Sequence, residues 1–185
     1  MKCPDVKQVV PVQRLKSGNT LSVARWLLGK MIMRCRSDGT VSQHMITEVE
    51  AYDGENDRAS HASRGRTART EVMYREGGIW YVYLCYGVHE MLNLVTGPAD
   101  YPAAILIRGI AGINGPGRLT KALEIDRRLN GTAAAPQSGL WIEDHGLYIA
   151  PRFILAAPRI GVGYAGPIWA GKPWRLQLDA KALRG

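Results

Sequence analysis

The sequence predicts one domain that mixes antiparallel β-hairpins with short helices, and three observations predict it. The chain has 185 residues, the length of a single core that buries roughly 68–70% of its unfolded surface. Two apolar segments double back across turn residues: residues 30–36 onto 41–52 across Ser37-Asp38-Gly39, and residues 80–84 onto 91–95 across Tyr86-Gly87, each the signature of a hairpin. Two further stretches carry apolar residues at helical spacing and close on glycine.

Taken in order, residues 1–18 are polar and irregular. Asn19-Thr20 then offers N-cap chemistry ahead of Leu21, Ala24, Leu27 and Leu28, and Gly29 ends that helix. In the strand over 41–52, a period of two puts Ile46, Glu48, Glu50 and Tyr52 on one face and Met45, Thr47, Val49 and Ala51 on the other. An acid and an aromatic therefore leave the strand end on the same side. Residues 53–69 are small and charged and contain the run Arg64-Gly-Arg66-Thr-Ala-Arg69, costly to bury. They are expected to form a surface loop with a short helix around 57–62.

From Trp80 the chain reads Trp-Tyr-Val-Tyr-Leu-Cys-Tyr-Gly, aromatic and β-branched residues that suit a pleated, half-buried surface. Tyr81 and Tyr83 share one face, Val82 and Leu84 the other. Gly87 tolerates positive φ and marks the turn, so Tyr86, Val88 and His89 are expected at the hairpin tip, where an aromatic ring has little core to join. Residues 103–107 read as an inner strand with Arg108 at its end. A helix follows through Leu119, Ala122, Leu123 and Ile125 to Asn130-Gly131. The Gly-Pro-Gly before it, beside Arg118 and Lys121, is either a phosphate-binding helix start or an ordinary glycine-rich one. Residues 140–151 read as a strand pair.

Charge narrows the function. Lys and Arg number 24 against 16 Asp and Glu, a net +8, which favours a polyanionic partner, nucleic acid or an anionic membrane surface. Cys3, Cys35 and Cys85 are odd in number and widely spaced, as suits a reducing cytosol. His44, His61, His89 and His145 lack the short pairings of a zinc site, so no metal or other cofactor is expected. No secretory h-region follows Met1, and no apolar run approaches the length of a membrane span. A soluble, unexported chain is expected.

Glu50 is the leading catalytic candidate. It follows a strand expected to be partly buried, and no Lys or Arg lies within five residues of it; such a carboxylate can take a proton from water, although an edge-strand glutamate in solvent reads the same locally. Tyr52, Tyr83 and Tyr86 are each compatible with a core. Together, on a basic chain, aromatics at strand and hairpin ends suit stacking on unpaired bases while flanking arginines suit phosphates. His61 carries no decisive local signal, and Asn93 in a strand asks for a hydrogen-bond partner.

These residues carry a family resemblance. Residues Thr47-Glu-Val-Glu-Ala-Tyr52, Ser60-His-Ala-Ser-Arg64-Gly, Tyr81-Val-Tyr-Leu-Cys-Tyr-Gly87, Met91-Leu-Asn93, Ile105-Leu-Ile-Arg108, Gly115-Pro-Gly-Arg-Leu119, Arg159-Ile-Gly-Val162 and Lys172-Pro-Trp-Arg175, in this order and spacing, resemble the alkyladenine (3-methyladenine) DNA glycosylase family. The resemblance covers most of the chain. It implies an α+β domain around a curved antiparallel β-sheet with surrounding helices and a protruding β-hairpin, acting as a monofunctional enzyme that excises damaged purines from duplex DNA with water as nucleophile. It also implies roles. Glu50 matches the general base, and Arg108 a residue near the water and the flipped nucleotide's phosphate. Tyr52, His61 and Tyr83 match the base-pocket walls. Asn93 matches the residue that crowds the amine of normal guanine, and Tyr86 the wedge that fills the vacated stack. Arg64, Arg66, Arg69 and Arg118 are the expected backbone contacts. His89-Glu90 and Tyr164 fall where the family varies. The expected partner is damaged double-stranded DNA, met by a monomer in the cytoplasm, or in the nucleus of a eukaryote.

Two readings compete with it. Gly115-Pro-Gly117-Arg-Leu-Thr-Lys121 resembles a helix-hairpin-helix glycosylase motif, but the residues before it read as strand. A non-catalytic nucleic-acid-binding module would use the same aromatics and arginines without releasing base.

Overall fold

The computed structural model describes residues 8–16 and 18–183; Cys3 and the rest of residues 1–7 lie outside them. A single helical turn, α1 (Val12–Leu15), leads into α2 (Thr20–Leu27), whose N-cap Asn19 accepts a hydrogen bond from the Ser22 N–H. Val23, Ala24 and Leu27 bury the inner stripe of α2. Gly29 ends it with φ +83°, and a Cβ there would stand 2.9 Å from Ile149, so both conformation and space call for glycine.

The hairpin β1 (Met31–Cys35) and β2 (Val41–Asp53) follows. Strand β2 is the axis of the fold. Its first half pairs with β1, and its second half lies between β5 (Ala103–Ile110) and β9 (Arg175–Leu178). The second hairpin, β3 (Trp80–Cys85) with β4 (His89–Val95), joins through β4 to β5. Short β6 (Ile113–Asn114) also pairs with β5, β7 (Leu140–Glu143) with β1, and β8 (Ile154–Ala157) with β9. All these pairings are antiparallel, and the described residues form a curled half-barrel carrying a few helices, including α3 (Pro116–Ala122) and α4 (Gly166–Ala170). The α+β class and the curved antiparallel sheet are as expected.

The sheet separates two environments. Val49, Ala51, Trp80, Val82, Leu94, Ile105 and Ile107 fill the main core. On the other face a smaller cluster holds Tyr81, Met73, Tyr74 and Ala62, with Tyr83 packed against it. Tyr81 and Val82 thus take opposite faces, as the period of two requires. At the tip, Tyr86 and Gly87 both have positive φ, +51° and +72°, and Val88 N–H closes the turn on Cys85 O at 3.1 Å. Three residues, Tyr86–Val88, separate the paired Cys85 and His89, and the two consecutive positive φ angles within them are those of a primed turn, whose twist matches that of the strands.

The structure departs from the sequence-based expectations at several places. Within the N-terminal segment Val10 and Leu15 are core residues, so that part is not merely irregular. Register shifts flank Glu48 in its pairing with β5, and these bulges send Ile46 into the main core with Val49 and Ala51 instead of onto the face of Glu48 and Glu50. The helix in the 53–69 segment is a 3₁₀ turn at His61–Arg64, and Asp57, Ala59 and Ser60 are buried; a buried partner for Asp57 overrides the polar composition. Strand β5 runs past Arg108 to Ile110, so Arg108 sits inside a strand. Helix α3 stops at Ala122, with Glu124 at φ +52° and a separate 3₁₀ turn at Arg127–Leu129. Only Leu140–Glu143 of residues 140–151 is strand, because β7 pairs with distant β1; β8 and β9, short and weakly patterned, are not foreseen.

Candidate active site

The second half of β2 delivers three polar side chains to one face, and Glu50 is the central one. It pairs in register with Leu106 of β5 on one side and with Arg175 of β9 on the other, so it is interior to the sheet and 0% exposed. The edge-strand reading is therefore overturned. One carboxylate oxygen accepts the Tyr52 hydroxyl at 2.8 Å and the other accepts the Ile160 N–H at 2.8 Å. Arg108 Nη1 stands 3.4 Å from Glu50 Oε1, an ion-pair distance but a long one for a hydrogen bond. Burial dominates and raises the carboxyl's proton affinity above the usual range, with Arg108, the Ile160 N–H, Tyr52 and Arg159 pulling it back. No Lys or Arg lies within five residues in sequence, yet folding supplies the guanidiniums of Arg108 and Arg159.

Tyr52, His61, Tyr83 and Asn93 converge beside Glu50 around a narrow slot completed by Tyr81 and Ser60. Its volume is about 20 Å³, room for about one water. The His61 and Tyr83 rings meet edge-to-face with centroids 4.6 Å apart. His61 Nδ1 lies 3.1 Å from the Tyr81 hydroxyl, and Arg69 stands 3.4 Å from Nε2, an arrangement that suits a neutral ring with its proton on Nδ1. Burial first, then Arg69 and Arg64, push the imidazole pKa down to about 4, so the ring is neutral at pH 7. Burial and the neighbouring Glu50 push the Tyr52 phenol up, which keeps its proton available to Glu50. Asn93 is buried and donates to the backbone carbonyls of Tyr81 and Met91 at 3.1 and 3.3 Å.

Behind Tyr52 stands Arg159, which has no local sequence signal beyond its place in the family-like segment. Its guanidinium centre lies 4.7 Å from the Tyr52 ring and 5.0 Å from that of Trp174. It donates to both oxygens of Asp57, one at 2.8 Å, and to Ala51 O at 2.8 Å. Both side chains of the Asp57–Arg159 pair are 0% exposed. Beyond Trp174, Lys172 sits 4.2 Å over that ring and 3.7 Å over Trp169. The pocket wall is thus backed by alternating cations and rings, each worth about 0.5–2 kcal/mol in such contacts.

The other expected residues are spread around the slot. Tyr86 projects from the hairpin tip at 90% exposure, with Val88 beside it at 72%. Arg64 and Arg118 are exposed. Arg69 is exposed but stacks 5.1 Å from the Tyr83 ring. Arg66 is engaged otherwise: it is bidentate to Glu71 at 2.8 Å and bonds Asp100 at 2.7 Å. Glu90, next to the hairpin tip, is paired with Arg127 at 3.1 Å. In the Gly-Pro-Gly start of α3, Gly115 takes φ +101°, and a Cβ on Gly117 would stand 2.9 Å from the His89 ring.

A buried carboxylate with its proton affinity raised, beside an aromatic slot and with a bare ring on a nearby hairpin, can activate a water against a planar group held between the rings. Among the described residues no helix is long and apolar enough to cross a membrane. Comparison with known proteins gives a consistent picture. The methylpurine-DNA glycosylase family profile matches residues 14–114 and 111–182. A Psychrobacter cryohalolentis protein is 42% identical over 187 residues, covering 85% of each chain. One from Methanocella arvoryzae is 44% identical over 177 residues, covering 85% of this chain and 86% of its own. One from Anaeromyxobacter dehalogenans is 42% identical over 179 residues, covering 92% and 84%. Each of the three carries a provisional 3-methyladenine DNA glycosylase name.

Proposed function

This chain belongs to the methylpurine-DNA glycosylase family, and on that premise we propose that it turns alkylated or deaminated purines out of duplex DNA and hydrolyses the N-glycosidic bond with a water activated by Glu50. The chain is a DNA glycosylase, hence a hydrolase acting on damaged DNA in repair. The substrates proposed are 3-methyladenine, 7-methylguanine and hypoxanthine, and the product is an abasic site. The observation that carries the mechanism is the fully buried Glu50 carboxylate, hydrogen-bonded at both oxygens and set beside the aromatic slot.

A base inside the helix cannot offer its C1′ to an in-line water, so it must leave the stack, at a cost of a few kcal/mol that is smallest for damaged pairs. Tyr86, exposed on the hairpin turn, offsets part of that cost by entering the gap. The flipped purine seats between Tyr52 and the His61–Tyr83 pair, whose rings part to widen a slot now sized for a water. Asn93, held by two backbone carbonyls, presents a fixed group that crowds the exocyclic amine of guanine. As the base departs, positive charge grows on the sugar. The Glu50 carboxylate stabilises that charge and takes the water's proton while the C1′–O bond forms. Arg108, beside Glu50, faces the water and the nucleotide's phosphate. Arg64, Arg69 and Arg118 hold the backbone on either side; Arg66 joins them only by releasing Glu71 and Asp100. The chemistry needs no cofactor or metal, and one monomer is sufficient.

The test is release of free base from duplexes that each carry one lesion, wild type against Glu50→Gln. The amide keeps the shape and cannot accept a proton, so excision should fall by at least about 10²–10⁴-fold while DNA binding persists. Near-normal single-turnover excision by the variant would remove Glu50 from the role, and binding without base release by the wild type would favour a non-catalytic module.

A further inference from the structure

Two residues before Glu50, on the same strand face, is a second buried carboxylate that the mechanism does not use. Glu48 is 7% exposed. Its Oε1 accepts from Arg108 Nε at 3.3 Å and from Arg175 Nη1 at 3.0 Å. Arg108 is thereby held at two points, by Glu48 through Nε and by Glu50 through Nη1 at 3.4 Å. The fold makes room for this. Register shifts on both sides of Glu48 put it opposite Gly109 of β5, and a Cβ on Gly109 would stand 3.1 Å from Glu48 Cβ and 3.5 Å from its Oε2. The glycine leaves the space in which the carboxylate reaches both guanidiniums.

We propose that Glu48 is a positioning residue for excision: it holds Arg108 at arm's length from Glu50 and so keeps Glu50 a base instead of one half of a closed ion pair. This rests on Glu50 being the base. The groups facing Glu50 are Tyr52 and Glu48 from β2, Arg108 from β5 and Arg175 from β9. Tyr83 adds a phenol from β3, and the segment before α4 adds the Ile160 N–H and Arg159, whose charge Asp57 already takes. Among these only Arg108 contacts both carboxylates. Without the Glu48 charge, Arg108 is free to close on Glu50, and the repulsion between the two carboxylates is also lost. Both effects favour ionised Glu50 and weaken it as a proton acceptor.

The experiment is the pH dependence of single-turnover excision from a duplex with one 7-methylguanine, a lesion whose fixed charge removes base protonation from the acid limb. Glu48→Gln, Glu48→Asp, Arg175→Gln and Glu50→Gln are compared with wild type, with melting temperatures in parallel. Glu48→Gln should lower the plateau and move the acid limb down by about one unit, a tenfold change in the ionisation constant. Glu48→Asp should restore the limb toward wild type. Arg175→Gln frees Glu48 to hold Arg108 more fully, so its limb should move up. A Glu48→Gln limb that stays in place while the rate or melting temperature falls would reduce Glu48 to a structural residue and overturn the proposal. If that variant does not fold, an Arg175→Gln limb that stays or moves down overturns it instead. Glu50→Gln distinguishes the two levels. Wild-type rate and limb in that variant would fell the base assignment itself, whereas loss of excision there with an unmoved Glu48→Gln limb would fell only the role of Glu48.

Discussion

Truncating Tyr86 to Ala or to Gly separates a wedge from a core residue, and the structure sets the size of each effect. The ring is 90% exposed, so its removal uncovers almost no apolar surface, and a surface substitution of this kind changes stability by about 0.5 kcal/mol or less. The backbone adds a second effect. Tyr86 has φ +51°, a conformation that costs an L-residue about 1–2 kcal/mol and glycine almost nothing. Tyr86→Gly should therefore be about 1 kcal/mol more stable than Tyr86→Ala, a difference of roughly 2–4 °C in melting temperature for a chain of this size. Against DNA the two variants should behave alike. Stacking on an aromatic contributes about 1–3 kcal/mol, so excision from a stable pair should fall by about 5- to 150-fold. Excision from a mismatched or unpaired lesion should fall less, because less stacking must be broken. Melting curves and single-turnover excision on paired and unpaired substrates, measured side by side, check all of this. A drop in stability of about 3–5 kcal/mol, typical of a truncated core aromatic, with equal losses on both substrates would refute the wedge.

Three other expectations follow from the geometry. Asp57→Asn leaves the Arg159 guanidinium buried without its counter-charge, so calorimetric or denaturant unfolding should show a loss of about 3–5 kcal/mol; a change below about 1 kcal/mol would mean that the pair is not enclosed as described. Glu50→Gln should gain thermal stability at neutral pH while it loses excision. The folded Glu50 pKa is raised, so this group's favourable contribution is full below its unfolded value and is lost as pH rises through the folded value; melting temperatures of wild type and variant should diverge as pH rises from acid to neutral, and a variant equally unstable at both would contradict burial as the cause. Binding to duplex DNA should weaken with salt along a log–log slope of about −3 to −4, for three to four phosphates neutralised with Arg66 held by its own carboxylates. A slope near zero would remove the electrostatic contribution.

What the sequence determined by itself is local. The period of two over 80–84 assigned Tyr81 and Tyr83 to one face and Val82 to the other, which the fold turns to the core, and Gly87 marked the turn that exposes Tyr86. Asn19 and Gly29 bounded α2. The spacing of Glu50 and Tyr52 placed an acid beside a phenol, now 2.8 Å apart. These follow from backbone geometry over a few residues, where side-chain direction is a function of position along one element. The same pattern failed at Ile46, because a bulge resets the alternation and a bulge is a property of two strands, not one. What only the tertiary structure decided is the electrostatics of the site. Asp57 and Arg159 are 102 residues apart, and Arg108 is 60 from Glu48. Whether Glu50 stands in water or beside Arg108 depends on which strands flank β2 and in which register. Burial and charge proximity are sums over everything within a few ångströms, and that set is assembled by pairing between distant strands, which no local window of the chain encodes.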